Sequence, residues 1–223
     1  MKYQKCAIMS AVIAVMLFAH PITWAAEFSI SVIGGYKGGA GFRLSTSASE
    51  FAQGLPLGME IGLGYTAFDP GNAADARSIF INDNNNGTPE KSGRMWDVRL
   101  DFLYRLKTFG LREAFAYAGV RYSMFTGNFK YVGGNEDFNV TSNQWGVGVG
   151  AKASFPISGR VGITFLGGFD YFFDAVLSGH DTSYSPGGET VNGNHNYTFK
   201  DADAAISQPK LQPCLMLGFT YFF

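Results

Sequence analysis

The sequence contains little cysteine and little charge. Only two of its 223 residues are cysteine, and Cys6 lies in a segment that we expect to be removed, so Cys214 has no partner for an intramolecular disulfide. Charged residues make up 16% of the chain, against about 25% in typical domains. With 17 basic and 18 acidic residues, the chain has no positive excess for binding nucleic acid. These shortages exclude a disulfide-rich scaffold and disfavour a nucleic-acid-binding protein.

The first 25 residues have the composition of a secretory leader. Two lysines precede an apolar run over residues 6–19, Pro21 interrupts it, and Thr23 and Ala25 offer the small residues of a signal peptidase site. The run is shorter than the ~20 residues that a membrane-spanning helix needs, which disfavours a retained anchor. We expect residues 1–25 to be a cleaved signal peptide and residues 26–223 to form one mature domain.

Long hydrophobic runs are missing from the mature chain. Short segments of alternating apolar and polar residues recur instead, together with 29 glycines and 16% aromatic residues. In lipid, only helices and closed barrels satisfy every backbone hydrogen bond. The pattern therefore predicts an all-β fold, an eight-stranded antiparallel transmembrane β-barrel with up-and-down topology. The expected strands are residues 27–37, 40–51, 57–67, 95–106, 113–125, 144–155, 161–177 and 208–223.

The connections between these segments predict the orientation of the barrel. Residues 107–112 and 156–160 are short turns and should lie in the periplasm, whereas residues 68–94, 126–143 and 178–207 are long polar segments and should lie outside the cell. Aromatic residues gather near both ends of the strands, as two interfacial girdles require. This orientation predicts a protein of the bacterial outer membrane.

Side-chain parity supports the membrane barrel. In residues 95–106 all charges occupy odd positions and all large apolar residues but Met95 and Leu103 occupy even positions. A charge on the lipid side near the midplane would cost about 2 to 4 kcal/mol, so the charges should line the lumen. The predicted lumen charge network comprises Arg43, Glu60, Asp97, Arg99, Asp101, Arg105, Glu113, Arg121, Lys152, Asp170 and Asp174. Only residues 113–125 resist assignment, because turning Glu113 inward also turns Phe115 and Tyr117 inward.

Two alternatives remain open at this stage. A soluble β-sandwich or lipocalin-like barrel would also alternate, but its interior would need larger side chains than the glycines and serines found on the polar side here. Within the membrane barrel, the lumen charges could simply fill and plug the interior. They could also exchange partners and gate a thin polar path.

The last strand carries the most specific local motif. Residues 211–223 alternate with a continuously apolar side, and the chain closes on Gly218-Phe219-Thr220-Tyr221-Phe222-Phe223. Together with the leader and eight short strands, this motif resembles the OmpA-type and OmpX-type family of small outer-membrane barrels. The resemblance implies that Phe219, Tyr221 and Phe223 are an assembly signal read by the barrel-assembly machinery. It also implies roles in envelope integrity, adhesion or host-surface interaction, and no peptidoglycan-binding extension is expected.

Enzymatic and metal-binding motifs are weak. His180, Asp181 and Ser183 lie together in one long loop with His195, but a flexible glycine-rich loop is a poor place for a catalytic triad. The run 82–87 resembles the start of a calcium loop, yet Gly93 stands where the closing glutamate is needed. We therefore expect no enzyme activity, no metal and no cofactor.

The sequence leaves three classes of function. The first is a non-enzymatic surface barrel whose partners are outer-membrane lipid, lipopolysaccharide and an unknown extracellular ligand. The second is a small pore or a transporter of hydrophobic ligands, and the third is a lipid A-modifying enzyme. Aromatic residues among Asn, Ser and Gly in the loops suit either adaptable binding or covering of the barrel mouth; they are Phe80, Phe129, Tyr131, Phe138, Tyr184, Tyr197 and Phe199.

Overall fold

The computed structural model describes residues 26–51, 55–84, 86–107, 111–194 and 196–223, so the predicted leader and His195 lie outside the described residues. In chain order the elements are β1 (Glu27–Lys37), β2 (Ala40–Ser49), β3 (Leu57–Phe68), α1 (Ala73–Phe80), β4 (Thr88–Arg105), β5 (Glu113–Val132), β6 (Asp137–Pro156), β7 (Val161–Phe172), β8 (Leu177–Gly179), β9 (Thr182–Tyr184), β10 (Thr190–Val191), α2 (Phe199–Ala205) and β11 (Leu211–Phe222).

Eight of these strands form a closed antiparallel barrel. Strands β1 to β7 each pair with their neighbour in sequence, β11 pairs with β7, and β1 closes the barrel against β11, with Ser29 opposite Phe222 and Lys37 opposite Cys214. Closure satisfies the backbone groups that an open sheet would leave unpaired at its edges. The predicted eight-stranded up-and-down barrel is confirmed. The three short strands β8 to β10 extend the sheet from β6 outside the barrel.

The outside of the barrel carries a broad apolar belt. Large apolar side chains alternate with buried polar ones along the strands, and Phe102, Trp145, Leu215 and Phe219 are 63%, 63%, 70% and 60% exposed. Soluble proteins rarely expose contiguous apolar surface of this extent. Aromatic pairs edge the belt near the long loops, where the ring centroids of Tyr122 and Trp145 lie 5.0 Å apart.

Strand β5 takes the orientation that the sequence left undecided. Its odd residues face inward, so Phe115 and Tyr117 are buried in the lumen with Glu113 and Arg121, while Ala118 and Val120 face outward. Leu103, Leu166 and Met216 are also buried inside. The lumen is therefore part ionic and part apolar, which the sorting of charges alone did not predict.

Strands β4, β5 and β6 are longer than predicted. The segment 126–143, expected to be an extracellular loop, is mostly strand, since β5 continues to Val132 and β6 begins at Asp137. Above Trp145 the two faces exchange character: Phe138 and Val140 point inward while Asn139 and Thr141 point outward. Inward and outward residues still alternate in this segment, but here the inward side chains are apolar and the outward ones are polar. This reversal made the segment look like a polar loop.

A cap covers the loop end of the barrel. Helices α1 and α2 and strands β8 to β10 enclose a hydrophobic core with the inward faces of β5 and β6; its members are Ala73, Ala76, Ile79, Phe80, Phe125, Phe129, Tyr131, Phe138, Val140, Leu177, Tyr184, Ala202, Ala205 and Ile206. Helix α1 begins where the Asn72 side chain accepts hydrogen bonds from the backbone N–H groups of Ala74 and Asp75. Neither helix has the length and apolar character needed to cross a bilayer, and the same is true of every helix in the described residues.

Candidate functional site

Six charged side chains meet in the half of the lumen nearest the cap. Asp170 is the centre of this group, because it pairs with Arg99 at 2.7 Å, Arg121 at 2.8 Å and Lys37 at 3.4 Å. Asp97 joins Lys37 at 2.6 Å and Arg99 at 2.9 Å. All of these side chains are at most 1% exposed.

Asp101 completes the six-charge cluster, which consists of Lys37, Asp97, Arg99, Asp101, Arg121 and Asp170. Its carboxylate lies 2.7 Å from Arg121. Three cations face three carboxylates, so the cluster is formally neutral. Neutral pairing with short contacts is the condition under which buried charges are tolerated.

A second, smaller polar layer lies nearer the short turns. Lys152 contacts Glu60 at 2.7 Å and the Ser31 hydroxyl at 3.0 Å. From Ser31 a row of hydroxyl groups continues through Thr220, Thr164 and Ser154, with successive oxygens 2.5 to 2.8 Å apart. This row connects four strands, β1, β11, β7 and β6, across the inside of the barrel.

Two predicted lumen residues lie apart from these pairs. Arg43 is 1% exposed, and its Nη2 contacts the Cys214 thiol at 3.7 Å, while its Nε and Nη1 find no acceptor in the described part of the chain. Glu113 is 3% exposed and its Oε2 is likewise without a donor among the described residues. The structure thus places both side chains in the lumen but not in the six-charge cluster.

Arg105 occupies the mouth of the barrel at the short-turn end. Its guanidinium pairs with Glu50 and lies 3.7 Å from Glu27. The side chain is 27% exposed and both carboxylates are more exposed still. An exposed arrangement of this kind contributes little free energy compared with the buried cluster.

Asp174 does not belong to the lumen, contrary to the sequence prediction. Strand β7 ends at Phe172, so the parity argument no longer applies at Asp174, which is 48% exposed and pairs with Lys210 at 3.0 Å. Lys210 also donates to Asp203 at 2.5 Å, and these contacts raise its pKa. Conversely, the prediction missed Lys37. The same parity on β1, where odd residues face inward, could have found it.

Glycines provide the space that the lumen side chains occupy. A Cβ on Gly148 would collide with Nη2 of Arg121, and a Cβ on Gly64 would collide with Oδ2 of Asp97. The hydroxyl of Tyr117 would in the same way lie 2.5 Å from a Cβ placed on Gly150. Glycines on one strand therefore make room for long side chains from the neighbouring strand, which explains how Tyr117 fits inside.

An ion pair fastens the cap to the β5–β6 hairpin. Arg77 of α1 is buried, pairs with Glu136, donates to the backbone oxygen of Asn86 at 2.8 Å, and stacks 4.2 Å from the centre of the Tyr131 ring. The hydrogen bond from Arg77 holds the pKa of Glu136 below its usual value. Tyr131 in turn donates its hydroxyl to the backbone oxygen of Ala73 at 2.6 Å. We call Arg77, Tyr131 and Glu136 the clasp.

The aromatic residues that were considered for adaptable binding are largely unavailable. Phe129 and Tyr184 are 0% exposed, Phe80 is 3% exposed, and Phe138 and Tyr131 are 4% and 5% exposed. Tyr197 and Phe199 pack against the same core. These residues cover the barrel mouth, which was the other interpretation of the pattern.

The weak catalytic and metal motifs lie on the surface of the cap. Nδ1 of His180 is 3.4 Å from Asp181, but both side chains are more than half exposed, and no hydrogen bond joins His180 to Ser183 among the described residues. In the run 82–87, the side-chain oxygens of Asn82 and Asn84 accept backbone N–H groups of the run itself. Those oxygens act as turn formers. Within the described ranges, no group of three or more His, Cys, Asp or Glu residues could hold a metal ion.

The predicted assembly signal lies on the outward face of β11 and at the chain end beyond it. Phe219, Tyr221 and Phe223 are 60%, 39% and 71% exposed, and the rings of Tyr221 and Phe223 contact each other at 5.2 Å between centroids. Their exposure leaves them accessible to another protein or to lipid. Recognition by the assembly machinery stays a prediction.

A solved structure with this architecture is that of a bacterial outer-membrane protein. A major outer membrane protein from Thermus thermophilus matches with a TM-score of 0.71 and 26% identity, over 89% of this chain and 100% of that chain. The protein has the fold of an outer-membrane β-barrel. More distant matches are the attachment invasion locus protein of Yersinia pestis, in complex with the heparin analogue sucrose octasulfate, and CarO of Acinetobacter baumannii. The Yersinia protein has a TM-score of 0.46 and 10% identity, over 89% of this chain and 97% of that chain. CarO has a TM-score of 0.43 and 13% identity, over 88% of this chain and 97% of that chain.

No family model matches this chain, and neither does any curated protein. The fold is therefore established from the structure and its match to the Thermus protein. The finer resemblance to the OmpA-type and OmpX-type family still stands on the sequence motif alone.

Proposed function

We propose that this protein is a closed, non-enzymatic barrel of the bacterial outer membrane that displays a folded cap at the cell surface. The short turns face the periplasm and the cap faces outward, as the difference between short turns and long loops requires. The apolar belt faces lipid. A secretory leader delivers the chain across the inner membrane, and the barrel-assembly machinery inserts it.

One observation carries this proposal: the interior is blocked at two successive levels. The six-charge cluster joins β1, β4, β5 and β7 across the lumen, and the apolar core of the cap covers the opening above it. An ion that passed through would have to break buried pairs and cross an apolar layer, and both are costly. The geometry therefore supports a structural or surface-display role over conduction.

Single-channel recording in planar bilayers tests this function. We expect the full-length protein to give no steady conductance between about pH 5 and pH 8, while a wide porin in the same bilayer conducts. A triple variant should conduct, because Arg99→Ala and Arg121→Ala remove the cations of the cluster and Phe129→Ala destabilises the cap. Steady conductance from the unaltered protein would contradict the proposal.

A small gated pore is the second candidate, and one observation favours it. Several buried donors find no acceptor among the described residues, namely Nε and Nη1 of Arg43, Nη1 of Arg99, Nη2 of Arg121 and the Tyr117 hydroxyl. Such groups could take over carboxylates from their neighbours as a path opens. Brief, pH-dependent openings in the same recordings, abolished by Arg43→Met, would favour this candidate.

The biological role within this class concerns envelope integrity or adhesion. The packed cap offers a defined surface, which suits presentation to a partner. Cells that lack the protein should be compared with cells that carry the barrel but have the cap surface exchanged. Loss of resistance to detergent only in the first strain indicates envelope integrity, and loss of surface attachment in both indicates adhesion.

A further inference from the structure

The outward face of strands β4, β5 and β6 carries a polar cavity directly above the apolar belt. The cavity measures about 310 Å³ and is lined by Ser92, Arg94, Thr126, Asn128 and Asn139. We call these five residues the shelf. The backbone register places Arg94 beside Thr126 and Ser92 beside Asn128, with Asn139 opposite Asn128 on the next strand. The shelf is thus a continuous patch built on three paired strands.

The surface immediately below the shelf is apolar. Trp96 follows Arg94 by two residues on the same face, and its strand partner Met124 is 42% exposed. Tyr65 packs against Trp96 with ring centroids 4.9 Å apart. Two residues of a strand span only ~7 Å, so in the proposed membrane placement Arg94 starts from the level where lipid headgroups meet the hydrocarbon.

Arg94 is chemically free to take a ligand. The side chain is exposed, and no acceptor within the described segments pairs with it. By contrast, Lys91 is engaged by Asp69 at 2.7 Å. A guanidinium offers a planar fork of donors that matches the oxygens of a phosphate.

The remaining shelf residues complement a sugar. Ser92 and Thr126 offer hydroxyl groups, and Nδ2 of Asn128 donates to Asn139 at 3.0 Å and to Asp137 at 2.8 Å. Amides and hydroxyls in such a row both donate and accept, as sugar hydroxyls require. Two nearby carboxylates, Glu90 and Asp137, lie one row higher on either side of Lys130. A third, Asp69, follows the residue opposite Gly93 and is paired with Lys91. Of the two cations Arg94 and Lys130, Arg94 is the one nearer to the apolar belt.

We propose that the shelf binds the phosphorylated sugar headgroup of a glycolipid in the outer leaflet, with the acyl chains lying along Trp96 and Met124. A cation and sugar-binding groups above an apolar surface fit a single molecule that has both a phosphorylated sugar and acyl chains. This inference rests on the proposed outer-membrane placement, and it adds a defined lipid site to it.

The test uses the full-length protein in nanodiscs of neutral lipid that contain lipid A with both phosphates or the same lipid A with its phosphates removed. Native mass spectrometry then measures how much lipid stays bound. We expect the phosphorylated form to be retained about tenfold better, since one charge-assisted bidentate contact is at stake. Arg94→Gln should abolish that preference. Lys130→Gln is the matched control and should keep it, because Lys130 lies between two carboxylates a row higher.

The outcomes separate the possibilities. Equal retention of both lipids, or equal loss in both variants, overturns the shelf as a lipid site. Displacement of the lipid by millimolar inorganic phosphate would show an anion site with no lipid specificity and would also overturn it. Heat-modifiable mobility on gels shows whether each variant forms an inserted barrel; failure of the unaltered protein in that assay would contradict the proposed function instead.

Discussion

The lumen and the cap are built on the same strands with opposite chemistry. Below Trp145, strand β6 points Gly148 and Lys152 inward and Val147 and Val149 outward. Above Trp145, it points Phe138 inward and polar residues outward, as a water-soluble protein does. Strand β5 reverses in the same way between Arg121 and Phe125. This difference shows that the solvent around each half decides which face is apolar, and it locates the membrane boundary within single strands.

The largest expected effect comes from the centre of the lumen. Asp170→Asn leaves Lys37, Arg99 and Arg121 without their shared carboxylate, and breaking a buried ionic group of this kind costs about 3 to 5 kcal/mol. Urea unfolding of the barrel in lipid vesicles measures the change. Asp174→Asn is the matched control, because Asp174 is half exposed and its pairing with Lys210 should contribute well under about 1 kcal/mol. Equal effects of the two variants would contradict the assigned lumen cluster.

A slightly smaller effect is expected in the cap, and only there. Phe129→Ala removes a fully buried ring and should destabilise the cap by about 3 kcal/mol through the cavity it leaves. Hydrogen exchange should accelerate in α1 and α2 but not in β1 or β2. The neighbouring outward substitution Asn128→Ala should leave exchange unchanged. If the whole barrel loosened with Phe129→Ala, the cap and the lumen would be one cooperative unit and the contrast between them would fail.

Overpacking of the lumen should have an intermediate effect. Gly148→Ala brings a methyl group against the Arg121 guanidinium and Oδ1 of Asp170, and such crowding costs about 1 to 3 kcal/mol. Gly159→Ala is a control with no atom within 4 Å of the added carbon. The temperature at which the folded band disappears on gels measures both. An unchanged temperature for Gly148→Ala would show that the lumen has spare room.

The smallest effect concerns the clasp and its dependence on pH. The folded-state pKa of Glu136 lies below its ordinary value of 4.5 because Arg77 donates to it, so the clasp contributes stability above about pH 4.5 and loses it as the pH falls through the lowered pKa. Proteolysis of the cap should therefore quicken below about pH 4.5. Glu136→Gln should remove much of this dependence, whereas Glu189→Gln on the exposed turn before β10 should retain it. Identical pH profiles for all three proteins would exclude the clasp as the cause.

Much of the barrel could be predicted from the sequence because lipid enforces a strict alternation. The bounds of β1 agree with the prediction to the residue, and those of β2 and β3 within a few residues, since the outward faces of all three strands carry no charge. The predicted network omitted Lys37. This residue is the last of β1, directly before Gly38 and Gly39, and the parity of β1 turns it inward. Asp174 was wrongly included because parity was extended past the end of β7.

The cap could not be predicted in the same way. Its strand residues alternate as regularly as those of the barrel, but the reversal of polarity above Trp145 hides the continuity of β5 and β6.

The orientation of β5 inside the lumen could not be predicted either. The inward position of Tyr117 depends on Gly150 and Gly168 on other strands, which are far away in the sequence. Space on the neighbouring strands β6 and β7 admits the ring, and the local pattern of β5 carries no information about it.

The most direct test of the membrane boundary measures where the outward face of β6 leaves the lipid. Single cysteines at positions 149, 147, 143, 141 and 139, in a Cys214→Ser background, carry spin labels in protein reconstituted in bilayers, and collision with oxygen is compared with collision with a water-soluble nickel complex. We predict that labels at 149 and 147 meet oxygen, that labels at 141 and 139 meet the nickel complex, and that the change occurs close to Trp145. A uniform response along all five positions, aqueous or lipidic, would contradict a boundary within the strand.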